Sequence, residues 1–388
     1  MTIADRAFAF PAREVSPARP LLHAFVYHRP QPGVVTALFS GGASDLIEPA
    51  GTHHPAWLSS CFAGARIISV RRGAELTGLF ATAAERWRWG VPLQVITSAS
   101  SDLAFEGVPL VAREGAVETI GAFIAGQRGR PILLRSIPAD GGFLKALAAA
   151  AAEVGAPLRI VRQWQRAALT PRGSYEKWFE ANFERKRRKE YRRIGSRLGE
   201  QGRLDSLQWN DAEPVQLWID ELFDLEAKGW KGREATAIAA DPENKAAVTR
   251  ALHIFAREGG LRLWKLALND EPIAMMFALV SAGKAWLGKI AYDETFAKYS
   301  PGVLLILAAT RSLFEDEAIA FADSCAIPDH PMIDNIWRER IAMCDVLIGR
   351  PGMPQGSFSA MIAAERTRGR FRTAAKRIYC HIAGKRRS

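Results

Sequence analysis

Two carboxylates stand where predicted elements of secondary structure end, and they are the first candidates for acid–base chemistry. Glu226 lies at the end of a predicted helix, just before a glycine-containing segment that lets the chain turn, Lys228-Gly229-Trp230-Lys231-Gly232. Asp323 closes a predicted strand, at the edge where α/β proteins place ligands. A positioned carboxylate can accept the proton that an amine or hydroxyl loses on acylation. We predict Glu226 as the favoured general base and Asp323 as the second candidate; the alternative for Glu226 is a surface residue at a helix end.

Asp329 and His330 follow on the next loop, and His330 is the third catalytic candidate. An imidazole exchanges a proton near neutral pH, so His330 can act as a proton shuttle. The alternative is a turn stabilised by the Asp-His-Pro sequence itself. Cys325 has no paired histidine signature, so we expect a structural thiol there and not a nucleophile.

The segment Tyr299-Ser300-Pro301-Gly302 precedes an apolar run and predicts the start of a helix. Serine can cap a helix, and proline in the first turn loses no needed N–H. The exposed amides and positive dipole end of such a helix attract anions, so we predict a donor-phosphate site here. Lys289, on the preceding predicted strand, is placed to meet a phosphate or a substrate carboxylate. The alternatives are an ordinary capped helix and an edge lysine in solvent.

The remaining candidates are side chains for binding the acceptor. Trp230 and Trp337 can stack on a sugar or wall a pocket, although core packing is the commoner fate of tryptophan. The predicted acceptor-binding residues are Lys228, Trp230, Lys231, Tyr292, Asp329 and Trp337.

The composition is that of a globular protein with ample core. A chain of 388 residues with 48% hydrophobic and 24% charged residues favours two domains. We find neither a signal-like segment nor an apolar run long enough to cross a bilayer, and therefore expect a cytoplasmic location, with peripheral contact to the inner membrane as a further option. The four cysteines form no CxxC pair, so neither a zinc site nor any other metal site is expected.

The net charge of +11 is concentrated in two segments. The first, Glu184–Leu198, has eight basic and two acidic residues; the second, Glu365–Ser388, has nine basic residues and one acid. We predict that the first is a basic helix that holds a phosphate-bearing substrate or is simply solvated. The second mixes aromatic and aliphatic residues with its cations, which favours adsorption on an anionic membrane or another polyanion.

The predicted elements follow the same order twice, which indicates a mixed α/β fold made of two similar domains. In the first half, antiparallel strands are followed by alternating helices and strands. In the second half, a basic helix, a strand and two helices precede a meander of three strands with predicted turns at Asn269-Asp270 and Ala282-Gly283, and helices and strands alternate after it. The predicted ranges are a loosely ordered lead-in (1–20), a first domain (21–165), a second domain with the donor site (174–350) and a basic tail (355–388). Within the second domain we expect one long helix over Tyr175–Gly199, a helix near Met332–Arg340 and a strand over Cys344–Ile348.

Three stretches together resemble the CelD-type acetyltransferases, which are GNAT proteins related to the Fem peptidyltransferases and linked with bacterial cellulose or exopolysaccharide production. They are Leu225–Gly232, the turn Ser300–Gly302, and the segment Asp323–Arg340. The basic segment Phe183–Gly202 is also similar, and the likeness covers about residues 174–348 and, more weakly, the first half. The resemblance implies tandem GNAT domains and acyl-CoA as donor. Met332-Ile333 stand where relatives carry a Tyr-Lys pair, so the Fem substrate does not transfer directly.

Three functions follow as hypotheses. The first is transfer of an acyl group, acetyl in the first instance, from acyl-CoA to an amine or hydroxyl of a small molecule or saccharide, in polysaccharide or cell-envelope synthesis. The second is a Fem-like transferase that uses aminoacyl-tRNA, with salt-sensitive tRNA affinity and no CoA binding. The third is a non-catalytic scaffold at a membrane synthase, which would keep its function when the cleft carboxylates are replaced.

Overall fold

The computed structural model describes residues 22–27, 45–49, 51, 54–61, 65–99, 104–234 and 236–385. The predicted lead-in and the strand expected over Val34–Phe39 lie outside these ranges.

Strands alternate with helices along the chain. The strands are β1 (Leu22–Tyr27), β2 (Arg66–Arg72), β3 (Glu75–Glu85), β4 (Val95–Ser98), β5 (Leu110–Val111), β6 (Ile132–Pro138), β7 (Leu158–Leu169), β8 (Leu204–Gln208), β9 (Leu261–Leu268), β10 (Glu271–Ser281), β11 (Lys284–Tyr292), β12 (Phe321–Asp323) and β13 (Glu339–Ile348). The α-helices are α1 (Pro55–Cys61), α2 (Ala116–Ala125), α3 (Gly142–Glu153), α4 (Tyr175–Asn182), α5 (Arg185–Gly199), α6 (Val215–Lys228), α7 (Trp230–Arg233), α8 (Pro242–Arg257), α9 (Pro301–Glu315) and α10 (Gln355–Lys385).

The described strands form one mixed sheet in which the two halves of the chain are interleaved. Its order is β1-β2-β3-β4-β6-β13-β7-β12-β11-β10-β9-β8, with β5 paired to β3. β13, from the end of the second half, pairs antiparallel with both β6 and β7 of the first half. β7 also pairs with β12. The fold is therefore mixed α/β, as predicted, and the halves share the centre of one sheet.

The two faces of the second half of the sheet are covered by different helices. On one face α6 and α8 pack together with α1 of the first half, around Trp57, Phe223, Phe255 and Phe277. On the other face α9 packs with α4 and α5, around Leu305, Trp264 and Trp337. A separate cluster under α2 and α3 forms the core of the first half. Helices on both faces leave the strand ends as the accessible part of the sheet.

The sequence pattern predicted the hairpin turns of the second half correctly but not the helix expected near Met332–Arg340. The turns expected at Asn269-Asp270 and Ala282-Gly283 are present, and all four residues have positive φ. The helix expected near Met332–Arg340 is wrong: a 3-10 turn covers only Ile333–Asn335, and β13 begins at Glu339. Pairing with β7 draws Glu339 and Arg340, the end of the predicted helix, into the sheet. The strand expected over Cys344–Ile348 is confirmed as the second half of β13.

The long helix expected over Tyr175–Gly199 is two helices, and its break has a clear cause. Phe183 leaves the helical conformation with φ −126° and ψ 139° between α4 and α5. Its ring is buried against Trp178, Phe179 and Tyr191. The aromatic contacts turn the basic helix α5 onto α9, where Gly195 faces Leu304.

None of the helices in the described ranges is long and apolar enough to cross a bilayer.

Candidate active site

A gap between β11 and β12 opens at the centre of the candidate site. These parallel strands pair only from Lys284 to Trp286, opposite Phe321 to Asp323. β12 ends at Asp323, whereas β11 continues to Tyr292. In the described part of the chain the second half of β11 therefore has no strand beside it on this side. Backbone groups at such an edge are available to a ligand that lies along the strand.

A β-bulge lies in the open half of β11. Met276 pairs with Ile290 and Ala278 with Leu287, so two residues of β11, Gly288 and Lys289, stand opposite one residue of β10. A side chain at position 288 would collide with the Phe277 ring, because its Cβ would lie 2.2 Å from two ring atoms. A bulge takes a residue out of the ladder and turns a backbone group away from the neighbouring strand. The bulge therefore presents backbone to the gap at one defined place.

The predicted donor loop leads from the end of β11 to α9. Asp293 Oδ1 accepts from the Thr295 amide at 2.8 Å and starts a 3-10 turn over Glu294–Tyr299. α9 begins at Pro301, as expected from the Ser-Pro pair. The expected serine cap is wrong: Ser300 has φ +48° and its side chain makes no cap hydrogen bond. Instead the Ser300 carbonyl accepts from the Val303 amide at 3.0 Å, and the loop backbone shapes the helix start.

The start of α9 packs against the end of β11. A Cβ at Gly302 would lie 3.3 Å from Met332 Sδ and 3.5 Å from Tyr292 Cδ1. Tyr292 is half-buried. Lys298 Nζ lies over the Tyr299 ring, 4.8 Å from its centroid. The structure thus brings together Tyr292, the donor loop and the gap. The roles assigned to Tyr299, Ser300, Pro301 and Gly302 stay predictions.

Glu226 and Lys289 face each other on the opposite side of the sheet from α9. The side chain of Glu226 is only 2% exposed although it lies near the end of α6. Glu226 Oε1 is 3.7 Å from Lys289 Nζ, and Oε2 accepts from the Ile238 amide at 2.8 Å. Lys289 Nζ also lies 3.5 Å from the Thr236 carbonyl oxygen. The surface position considered for Glu226 is therefore wrong, and a buried carboxylate stands beside the bulge.

Asp323 belongs to a buried network that joins the two halves. Its Oδ2 accepts a hydrogen bond from Arg166 of β7, and its Oδ1 accepts from the Cys325 amide at 2.9 Å. Lys284 Nζ lies 3.9 Å from Asp323 and 3.1 Å from Glu106 of the first half. Burial alone would lower the pKa of Arg166, but Asp323 raises it above its usual value. Both oxygens of Asp323 are thus engaged by the protein itself.

His330 and Trp337 make structural contacts. His330 Nδ1 accepts from the Met332 amide at 3.3 Å, and the His330 amide donates to Asp334 Oδ2 at 3.1 Å. Trp337 is 1% exposed, and its Nε1 donates to Thr310 Oγ1 at 3.0 Å. These contacts favour the turn and core interpretations over proton transfer and sugar stacking.

The other acceptor candidates are more exposed or lie outside the described side chains. Lys228 and Asp329 are exposed, and Asp329 has φ +58°. The backbone of α7 is described, but the side chains of Trp230 and Lys231 lie outside the described residues. Burial and the nearby Asp323 raise the pKa of the Cys325 thiol well above its usual value, which fits a structural thiol.

Sequence reasoning missed the residues that the first half brings to the site. Glu106 accepts from Trp286 Nε1 at 2.7 Å, and Gly51 lies so close to Trp286 that a Cβ would come within 2.7 Å of its ring. Neither Glu106 nor Arg166 belongs to a motif; Glu106 is a lone charge among apolar residues, whereas Arg166 lies in a polar stretch that gives no signal. Among the described residues no group of three or more His, Cys, Asp or Glu side chains is arranged to hold a metal ion.

Glu48 extends this network and predicts a pH dependence of stability. Its carboxylate accepts from the Gly142 and Phe143 amides, and burial, with Glu106 as a second cause, raises its pKa from 4.5 to about 7. The folded state therefore favours protonated Glu48, so this contribution to stability is full below pH 4.5 and is lost as pH rises through 7. Relative to wild type, Glu48→Gln should gain about 2 kcal/mol in unfolding free energy between pH 5 and pH 8.

Urea unfolding of both proteins at pH 5 and pH 8 measures this difference. The exposed Glu75→Gln variant is the control for the same substitution at a surface position. An equal difference at both pH values for Glu48→Gln would contradict the prediction.

The candidate site lies in a part of the chain that matches a known protein family. Residues 185–326 match the family model described as an acetyltransferase (GNAT) domain, a range that includes Glu226, the bulge in β11, the donor loop and Asp323. The fold is of the GNAT type. A comparison with curated proteins returned no match.

Solved structures support the fold over most of the chain. L-PGS from Bacillus licheniformis is 12% identical with a TM-score of 0.52, covering 87% of this chain and 98% of that chain. The C-terminal domain of a putative lysylphosphatidylglycerol synthetase from Agrobacterium fabrum is 11% identical with a TM-score of 0.52, covering 85% and 95%. At these identities the likeness concerns the GNAT fold alone. The CelD-type resemblance stays a prediction.

Proposed function

We propose that this protein transfers an acyl group from acyl-CoA to an amine or hydroxyl acceptor, with Glu226 as general base. The observation that carries the proposal is the position of a buried carboxylate beside the gap between β11 and β12. Acyl transfer requires a thioester held in a fixed place, a donor of hydrogen bonds to its oxygen, and a group that takes the acceptor proton. The residues around the gap can supply each of these.

The donor fits the gap and the loop that follows it. The start of α9 offers its positive dipole end, which attracts phosphate, and the open edge of β11 offers backbone groups to an extended pantetheine chain. The bulge at Gly288 and Lys289 places a backbone amide near the paired end of the gap, where it is our candidate for the thioester oxygen. Bound acyl-CoA supplies the activated acyl group.

Glu226 is the stronger base candidate because it stands beside the bulge in the open half of β11, whereas Asp323 lies at the end where β11 and β12 pair. Both carboxylates face the same side of the sheet, but Asp323 has its oxygens bonded to Arg166 and the Cys325 amide. One carboxylate oxygen of Glu226 accepts a hydrogen bond from the Ile238 amide. The other oxygen is 3.7 Å from the ammonium of Lys289, a side chain with a flexible stem. In our proposal the acceptor proton passes to that second oxygen, and Lys289 stabilises the carboxylate before transfer.

For the acceptor we propose a chemical class, a polar or anionic molecule. Lys289 and, at the end of α6, Lys228 lie on the Glu226 side of the sheet and suit a polar or anionic acceptor such as a sugar derivative or an envelope precursor. The structural likeness to the C-terminal domain of a putative lysylphosphatidylglycerol synthetase adds the headgroup of an anionic lipid to the acceptors worth assaying. The predicted link with exopolysaccharide synthesis is part of the same proposal.

Calorimetric titration with acetyl-CoA and with acetyl-pantetheine tests the donor site. Acetyl-pantetheine has the same thioester but lacks the nucleotide, so we expect it to bind roughly 100-fold more weakly if α9 holds the phosphates. Equal affinity for both compounds would contradict a phosphate site at α9. Thiol release on addition of amines or sugars then identifies the acceptor class.

The second candidate is a Fem-like transferase that uses aminoacyl-tRNA. The observation that favours it is α5, which packs beside α9 and exposes several cations: Arg185, Lys186, Lys189, Arg192 and Arg197. Absence of acetyl-CoA binding, together with a tRNA affinity that falls steeply with salt, would replace the acyl-CoA proposal by this one.

A further inference from the structure

Exposed hydrophobic residues are concentrated at one place on the surface. Of the six large hydrophobic side chains that are exposed in the described structure, three lie in the connection after β3 or in the helix docked on it: Trp87, Val91 and Phe371. Trp87 is 61% exposed and Phe371 is 72% exposed. Trp87 also has φ +62°, a conformation that non-glycine residues rarely adopt. Two exposed aromatic rings on connected elements indicate a surface that contacts something less polar than water.

Charged hydrogen bonds hold the two elements together. Arg88 donates from Nε and Nη2 to the two carboxylate oxygens of Glu365 at 2.8 and 2.7 Å, and Trp89 Nε1 donates to the same carboxylate at 2.8 Å. Arg368 donates to the Arg88 carbonyl at 3.1 Å. Glu365 therefore fixes the loop against α10, whose earlier residue Phe358 is buried in the core. A deletion that begins at Glu365 would therefore remove this anchor together with the basic residues that follow it.

The surface around the rings is basic and open. An open groove of about 550 Å³ runs between the loop and α10, with Arg88, Trp89, Ala364, Arg368 and Phe371 in its walls. Arg86, Arg366 and Arg370 are exposed around it, and the single acid of the segment after Ala364, Glu365, is already bonded to Arg88.

The sequence of α10 continues the pattern toward its end. Phe371, Ile378 and Ile382 recur at spacings of seven and four residues, and the same stretch carries the cations Arg372, Lys376, Arg377 and Lys385. A helix with one apolar stripe and a basic remainder lies in the plane of a membrane interface.

We infer that the loop Trp87–Val91 and the helix α10 form one docking surface for an anionic lipid bilayer. Trp87 and Phe371 insert at the headgroup level, and the surrounding arginines contact anionic headgroups. The inference is independent of the proposed acyl transfer. A bilayer is favoured over RNA because the surface combines cations with aliphatic and aromatic side chains that need an apolar phase, and the cations alone would serve RNA.

Flotation with vesicles tests the surface, with the full-length protein and vesicles of phosphatidylcholine with or without 30% phosphatidylglycerol. We expect binding to the anionic vesicles only. Trp87→Ser combined with Phe371→Ser should weaken binding at least tenfold, and Arg366→Glu with Arg370→Glu should do the same, because each removed cation contributes roughly fivefold. Leu207→Ser with Leu217→Ser, which removes exposed hydrophobic residues elsewhere, is the matched control and should bind like wild type.

A second measurement keeps the test valid if a variant folds poorly. Truncation after Phe371 leaves the Glu365 anchor in place and should reduce vesicle binding while circular dichroism and acetyl-CoA affinity stay unchanged. Wild-type binding to neutral and anionic vesicles alike, binding unaffected by the aromatic substitutions, or a short RNA bound in preference to vesicles would each overturn the inference.

Discussion

Replacing Glu226 with glutamine is expected to lower acceptor-dependent turnover by about 10²- to 10⁴-fold, the usual contribution of a general base. Glutamine can still accept the hydrogen bond from the Ile238 amide, so the loop that follows α7 should keep its position. In the proposed binding mode acetyl-CoA is held on the α9 side of the gap, so its affinity should stay near that of wild type. Stopped assays of thiol release, with and without acceptor, measure the loss separately from slow thioester hydrolysis.

Glu221→Gln is the matched control for this variant. Glu221 lies on the same helix and pairs with a lysine of a neighbouring strand, since Lys265 Nζ is 2.8 Å from its Oε2. The Glu221→Gln substitution removes the same charge from α6 at a position away from the bulge. Comparable turnover losses in both variants would assign the effect to the helix and not to the base. Full turnover in Glu226→Gln would leave a water chain or His330 as the proton acceptor.

Replacing Asp323 with asparagine should have its largest effect on stability. The change leaves Arg166 charged and buried without its carboxylate, and breaking a buried pair in this way costs about 3–5 kcal/mol. Because Arg166 lies on β7 and Asp323 on β12, the loss should appear where the two halves share the sheet. Urea unfolding followed by circular dichroism measures it.

Two further variants separate structure from chemistry at this position. Asp316→Asn removes a partly exposed aspartate paired with Arg262 at 2.7 Å and should cost only about 1 kcal/mol or less. Arg166→Met combined with Asp323→Leu removes both buried charges and should recover part of the stability lost in Asp323→Asn. An Asp323→Asn protein that unfolds like wild type but has lost turnover would show that the carboxylate acts in the chemistry.

Local sequence determined those features that depend on neighbours along the chain. The hairpin turns at Asn269-Asp270 and Ala282-Gly283, the meander β9 to β11 and the start of α9 at Pro301 all follow from side-chain period and turn residues. The same signals located the carboxylate Glu226 at the end of α6 and the donor loop beyond β11. The mixed α/β class could also be predicted, because alternating elements restrict the ways in which a sheet can be covered.

Tertiary structure decided what depends on residues far apart in sequence. Only the sheet showed that the strand predicted over Cys344–Ile348 lies between β6 and β7, and that Asp323 meets Arg166 and, through Lys284, Glu106. Glu226 could be placed on its helix from the sequence, but its burial beside Lys289 depends on the bulge in β11 and on the loop at Ile238. Pairing and burial depend on the energy of contacts across the fold, and neither periodicity nor a motif records which distant charge will stand beside a given carboxylate.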